Sequence, residues 1–142
     1  MRLFIGIKLS DLLKKEISKV CEVLKGSNSD VKWIEIDNIH LTLKFLGEVK
    51  EEKLTDILDY IEEVVKNNPP FIFEIRGVGA FPNVKRPRVV WIGISNGKED
   101  IINIGKSLDE KLHKIGFKNE SREFNPRDFL KFNVIFFIIY SI

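Results

Sequence analysis

His40 and Thr42 are the side chains with the most chemical promise in this chain. They stand two apart in the stretch His40-Leu41-Thr42-Leu43-Lys44-Phe45. In a strand, residues two apart share a face, so an imidazole and a hydroxyl would project side by side. Leu41, Leu43 and Phe45 would point to the opposite face, and Lys44 would join His40 and Thr42. Imidazole gives or takes a proton near neutral pH. The threonine hydroxyl can hydrogen-bond a phosphate oxygen. On spacing alone, a polar strand face that happens to carry one histidine is the commoner explanation, because short motifs recur by chance.

Other reactive residue types have plainer readings. His113 is the second of two histidines and sits among Lys106, Asp109, Glu110, Lys111 and Lys114. That places it on or beside a solvated helix face, near a helix C-terminus where a cation is favoured. Cys21 lies beside an apolar stripe, and nothing near it in sequence would lower its pKa, so it reads as a small core residue. Lys85, Arg86 and Arg88 form a basic cluster; a solvated turn is the usual fate of such charges, and a phosphate or RNA contact at a cleft rim is the functional alternative. Trp33 and Trp91 could stack on bases, although large aromatics are more often core. Gly77-Val78-Gly79 lacks the third glycine and the following helix of a dinucleotide fingerprint. The sequence has no Walker A loop, no HExxH and no paired-cysteine metal site.

The chain that must position these groups has 142 residues, 44% hydrophobic and 31% charged. This suits one domain, or two small lobes sharing a core. With Lys+Arg at 23 and Asp+Glu at 21, the net charge is +2. A polybasic membrane anchor or a histone-like tail is therefore not expected, while a local phosphate patch remains open. A single cysteine excludes an internal disulfide and fits a reducing cytoplasm. The apolar stretch at residues 3–7 is far too short for a signal peptide. The apolar run from Val134 to Tyr140 falls short of the roughly 20 residues of a membrane helix; it reads as a buried strand or an aggregation-prone segment.

Periodicity predicts a strand over residues 3–7, with Ser10 as N-cap of a helix whose stripe is Leu13, Ile17, Val20 and Leu24. Gly26-Ser27-Asn28-Ser29 should end it. Extended stretches are predicted over 31–36 and from His40 to Gly47. A second helix carries Leu54, Ile57, Leu58, Ile61, Val64 and Val65 and should stop at Asn67-Asn68-Pro69-Pro70. Strands are predicted over 71–75 and 89–94, joined by a loop holding Gly77, Gly79, Pro82 and Pro87. A third helix is predicted over 98–115, capped by Gly116. Strands outnumber helices, which argues for an α+β domain.

A faint internal repeat runs through this order. Ile5-Gly6-Ile7 precedes the first helix, and Ile92-Gly93-Ile94 precedes the third. After those helices, Asn38 aligns with Asn125, His40 with Arg127, Thr42 with Phe129 and Leu43 with Leu130. Two similar lobes facing each other across a cleft would produce this pattern.

Taken together, several stretches resemble the 2′-5′ RNA ligase family, the RNA 2′,3′-cyclic phosphodiesterases of the two-histidine phosphoesterase superfamily. Trp33-Ile34 through His40-Leu41-Thr42-Leu43-Lys44-Phe45-Leu46-Gly47 is similar to its first HxTx motif. Met1-Arg2-Leu3-Phe4-Ile5-Gly6-Ile7, Gly77-Val78-Gly79-Ala80-Phe81-Pro82-Asn83 and Arg86-Pro87-Arg88-Val89-Val90-Trp91-Ile92-Gly93 resemble it too. The similarity spans residues 1–126 and overturns the chance reading of His40. It implies a bilobal α+β fold with pseudo-two-fold symmetry over a single domain, residues 1–142, each lobe giving one HxTx motif to a central groove. It implies opening of a terminal 2′,3′-cyclic phosphate of RNA to a 2′-phosphate, in some members with joining of 2′-5′ linkages, and with no metal or nucleotide cofactor. By resemblance, His40 is the proton donor to the leaving ribose oxygen and Thr42 holds a non-bridging phosphate oxygen. The partner is then an RNA end bearing a cyclic phosphate. A monomer in the cytoplasm, away from membranes, is the default expectation.

The sequence departs from this pattern after residue 126. Arg122-Glu123-Phe124-Asn125-Pro126 leads into the second motif, yet Arg127 stands where a histidine is expected and Phe129 where a threonine is. The basic residue and final strands that follow in the family have no counterpart in the divergent tail, residues 127–142, so the fold is expected to be C-terminally truncated. The change is abrupt, as a frameshift would make it. Arginine stays protonated at ordinary pH, so Arg127 cannot act as a general base, though it can bind phosphate. The alternative expectation is an impaired or inactive RNA-phosphate-binding remnant in which Arg86, Arg88 and Arg127 hold phosphates.

Overall fold

The computed structural model describes residues 1–25, 35–81, 85, 89–119 and 138–140. Strand β1 (Arg2–Lys8) leads into helix α1 (Asp11–Lys25), then a 3₁₀ turn (Ile36–Asn38) and strand β2 (His40–Glu48). Helix α2 (Leu54–Lys66), strands β3 (Glu74–Phe81) and β4 (Val89–Asn96), helix α3 (Lys98–His113) and strand β5 (Ile138–Tyr140) follow. Strands β2, β1 and β5 form one sheet in that order, with β1–β2 antiparallel and β1–β5 parallel. Strands β3 and β4 form an antiparallel pair. The α+β expectation holds.

The helices form where their sequence signals lie. Ser10 Oγ accepts from Leu13 N at 3.3 Å, and the first turn of α1 opens on Asp11. Helix α2 ends as its last carbonyls are taken by Asn67 and Asn68: Asn67 Nδ2 donates to Glu63 O at 2.9 Å and Asn68 Nδ2 to Val64 O at 2.7 Å. At the end of α3, Gly116 takes a φ of +95° and its N–H donates to His113 O at 3.0 Å.

One core lies between the helices and the strands. Leu3, Ile5, Leu41 and Leu43 of the β1–β2 pair meet Ile17 and Cys21 of α1, Ile57 and Ile61 of α2, and Ile101, Leu108 and Leu112 of α3; Ile92 of β4 joins them. Ile17, Ile57, Ile101 and Leu112 are wholly buried. Each such side chain contributes roughly 1.5–3 kcal/mol through burial. Cys21 belongs to this core, and burial pushes its thiol pKa up, so it is an inert packing residue.

Three expectations are corrected. Residues 77–81 are strand rather than loop, because β3 begins later and runs further than its apolar run suggests; Gly77, at φ +79°, sits in the irregularity between Ile75 and Val78. Residue 36 is in a 3₁₀ turn, not a strand. Lys44 and Phe45 also exchange faces. The β1–β2 register pairs Phe4 with Phe45, Ile5 with Lys44 and Gly6 with Thr42, with irregularities between Leu3 and Phe4 and between Ile5 and Gly6. An extra residue in one strand shifts the phase of alternation. Leu43 and Lys44 are therefore both buried, and Phe45 is 56% exposed. The expected turn at 26–29 and the extended residues 31–34 lie outside the described residues, as do 134–137 of the C-terminal apolar run; residues 138–140 of that run form β5.

Candidate active site

The face of the β1–β2 pair turned away from the core carries the candidate groups. Across it, Lys8 pairs with His40, Gly6 with Thr42, Phe4 with Phe45 and Arg2 with Glu48. Directly opposed residues of an antiparallel pair project on one side, so these eight share a face. His40 and Thr42 are both partly exposed, in reach of a ligand. The sequence expectation that they lie side by side, with Leu41 and Leu43 inward, is what the strand shows.

His40 is held by its neighbours. The Phe4 ring lies parallel to the imidazole, with centroids 4.6 Å apart and planes 18° apart. Phe4 is itself 2% exposed, so the platform under His40 is fixed. Gly6 makes the stack feasible. A Cβ there would stand 2.9 Å from Leu41 O, 3.3 Å from Phe4 Cε2 and 3.5 Å from His40 Cδ2. From behind, Lys14 of α1 reaches the turn that feeds β2: its Nζ donates to Asp37 O at 2.8 Å. The lysine stem is buried along the helix while its ammonium serves a backbone carbonyl, three residues before His40.

Lys44 anchors the strand from the core side. It is 2% exposed, and its Nζ pairs with Asp109 of α3 and donates to Lys118 O at 3.0 Å. A buried ammonium needs such partners. The bulge that turned Lys44 inward thus ties the His40 strand to α3, which belongs to the second half of the chain. Lys53 Nζ adds a bond to Ile115 O at 3.1 Å, just past the same helix.

The remaining candidates fall elsewhere. His113 is exposed, with Nδ1 3.1 Å from Phe117 O at the end of α3, far in sequence from β1 and β2 and occupied in closing a helix. Trp91 pairs with Gly79, and a Cβ on that glycine would lie 2.0 Å from the indole, so the ring lies flat across it. Trp33, Arg86, Arg88 and Arg127 lie outside the described residues; Lys85 is exposed. Among the described residues no group of three or more His, Cys, Asp or Glu side chains is placed to hold a metal ion. Sequence reasoning missed Phe4, Phe45 and Lys8 as members of this face. Periodicity predicts only a strand over residues 3–7 and assigns no face within its apolar run; the strand register shows that Phe4 faces away from the core.

The sequence model of the family described as LigT like Phosphoesterase matches residues 7–91. A protein of Methanothermobacter thermautotrophicus named RNA 2′,3′-cyclic phosphodiesterase is 37% identical over 126 residues, covering 89% of this chain and 67% of that protein. One of the same name from Archaeoglobus fulgidus is 42% identical over 120 residues, covering 84% of this chain and 66% of the relative. The chain thus spans about two thirds of the length of these relatives. Among solved structures, a Thermus thermophilus protein superimposes with a TM-score of 0.77 at 26% identity, covering 89% of this chain and 70% of the other. Escherichia coli LigT in apo form gives a TM-score of 0.70 at 25% identity, covering 94% and 76%. With a family match that covers all of strand β2, including His40 and Thr42, and a shared fold, the chain belongs to the LigT-like phosphoesterase family.

Proposed function

We propose that this chain acts on RNA ends as a 2′,3′-cyclic phosphodiesterase, with His40 and Thr42 as the groups that handle the phosphate. The observation that carries this reading is the immobilised pair itself. An imidazole stacked on a buried ring stands beside a hydroxyl on an accessible face, in a chain whose relatives bear that name. A terminal cyclic phosphate opens when water oxygen bonds to phosphorus and the bond to O3′ breaks. The departing O3′ takes a proton, which His40 gives as general acid. The Thr42 hydroxyl donates to a non-bridging oxygen as charge builds there. The products are a 2′-phosphate and a free 3′-hydroxyl. Water must lose its own proton to a base. The family resemblance assigns that step to a second histidine, at the position of Arg127 here. An arginine cannot accept the proton, which in this chain passes to bulk water instead, but it can hold the phosphate, alongside Arg86 and Arg88. Turnover should therefore fall about 10²–10⁴ below that of a two-histidine relative.

The replacement of the second histidine also favours a second reading, a phosphate-binding protein without turnover. An RNA oligonucleotide ending in a 2′,3′-cyclic phosphate separates the two. Ring opening that His40→Ala abolishes supports the enzyme. Binding that weakens steeply with salt, with the ring left intact, supports the binder. We place the protein in the cytoplasm as a monomer and treat residues 1–142 as one functional unit. The buried single cysteine supports the compartment. Among the described residues no helix is long and apolar enough to cross a membrane.

A further inference from the structure

We propose that Lys8 grips the phosphodiester that joins the terminal nucleotide to the rest of an RNA chain, so that this site prefers a chain to a free nucleotide. This rests on the functional reading above and extends it to the substrate beyond the reacting phosphate.

The two ends of the β1–β2 face differ in charge. At one end Arg2 stands opposite Glu48, an ordinary pairing of opposite signs. At the other end Lys8 stands directly opposite His40. A general acid carries its proton before giving it, so the imidazole then faces the ammonium as a second cation. Like charges directly opposed in a strand pair are destabilising. Among the described residues nothing offsets this: Lys8 is exposed, and no ion pair or side-chain hydrogen bond holds its ammonium. The lysines that brace β2 do find partners, Lys14 at Asp37 O and Lys44 at Asp109. A common task of a strand lysine is to guard a sheet edge, whereas β1 lies between β2 and β5. Local rules are broken mainly where function requires it. Two cations side by side on an accessible face suit a ligand with more than one negative charge.

Position decides which charge falls to Lys8. Thr42 stands two residues along β2 from His40, about 7 Å away. In the functional reading Thr42 holds the phosphate and His40 meets the ribose oxygen. The ribose, and the chain that continues from it, therefore lie at the His40 end of the face, where Lys8 stands. A lysine ammonium on its flexible stem meets a phosphate as a point charge and makes no demand on base identity.

The test uses the full chain and two probes: an adenylate oligonucleotide ending in a 2′-phosphate, and adenosine 2′-monophosphate, which lacks the phosphodiester. Affinities are read by NMR titration of the His40 ring signals at several salt concentrations. Lys8→Met should weaken the oligonucleotide about fivefold at low salt, the size of one exposed charge contact. It should also lower the slope of log affinity against log salt by about 0.7, the loss of one single-strand phosphate contact. A merely structural role would not change that slope. Adenosine 2′-monophosphate should bind Lys8→Met as it binds the wild-type chain, which also shows the variant folded, and Lys8→Arg should keep both the affinity and the slope. Equal oligonucleotide affinity and slope for the wild-type chain and Lys8→Met overturn the proposal while leaving the functional reading intact. Equal weakening of both probes overturns it as well, because Lys8 would then hold the terminal phosphate. Failure of the wild-type chain to bind either probe overturns the functional reading along with it.

Discussion

In the β1–β2 strand pair, Phe4 stands two residues before Gly6 and supports an imidazole; in the β3–β4 pair, Trp91 stands two residues before Gly93 and lies across a glycine. The backbone device is the same in both. A Cβ on Gly6 would come within 2.9 Å of Leu41 O on the paired strand, and one on Gly93 within 2.7 Å of Arg76 O. Each hypothetical Cβ would also touch its aromatic neighbour, at 3.3 Å from Phe4 Cε2 and 3.6 Å from Trp91 Cζ3. Close strand approach beside a large ring needs a residue without a side chain. The two halves therefore share a scaffold rather than a chemistry. What the scaffold does depends on the opposing strand: β2 brings His40 and Thr42, whereas β3 brings Gly79, over which the indole folds down.

The largest effect that separates the two strand pairs should come from His40→Ala, with ring opening of cyclic-phosphate RNA reduced about 10²–10⁴ and the melting temperature little changed. Next comes Lys44→Met, which leaves Asp109 and the Lys118 carbonyl without their ammonium; a loss near the lower end of about 3–5 kcal/mol is expected in urea unfolding, since Asp109 retains some exposure. Gly6→Ala and Gly93→Ala sharpen the comparison further. Each forces strands apart and should cost about 1–3 kcal/mol. Only Gly6→Ala should also lower turnover per folded molecule, because it alone wedges between Phe4 and His40. The smallest effect concerns an exposed ion pair away from both strand pairs. Its hydrogen bond to Lys66 holds the Glu62 carboxyl below its ordinary pKa. A depressed carboxylate stabilises above its unfolded pKa and loses that contribution as pH falls through its folded one. Lys66→Met should raise the Glu62 pKa in an NMR titration and leave the melting temperature at neutral pH unchanged, since water already solvates both groups.

The helices were legible because their stripes, caps and stops are local: Ser10, Asn67 and Gly116 each do what their side chains or their lack of one dictate. His40 and Thr42 were legible as a pair because two-residue spacing suffices to put them on one face. The same alternation misplaced Phe45 and Lys44, because a bulge depends on how two strands fit and leaves no mark in either strand alone. The face of Phe4 was not legible for a related reason. A strand covered on both faces shows no alternation, so its apolar run hides which residues serve the site. Arg86, Arg88 and Arg127 were named from charge and alignment, and they fall outside the described residues, so their roles stand as proposals.

The central claim is that His40 delivers a proton to the departing O3′ while Thr42 holds the phosphate. It is tested most directly by following an RNA 2′,3′-cyclic phosphate end by phosphorus NMR, with the wild-type chain, His40→Ala and Thr42→Val at equal folded concentration. The account predicts a 2′-phosphate as the only product, slow with the wild-type chain, slower again with Thr42→Val and slowest, about 10²–10⁴ below the wild-type chain, with His40→Ala. A 3′-phosphate product, or the same rate with His40→Ala as with the wild-type chain, would contradict it.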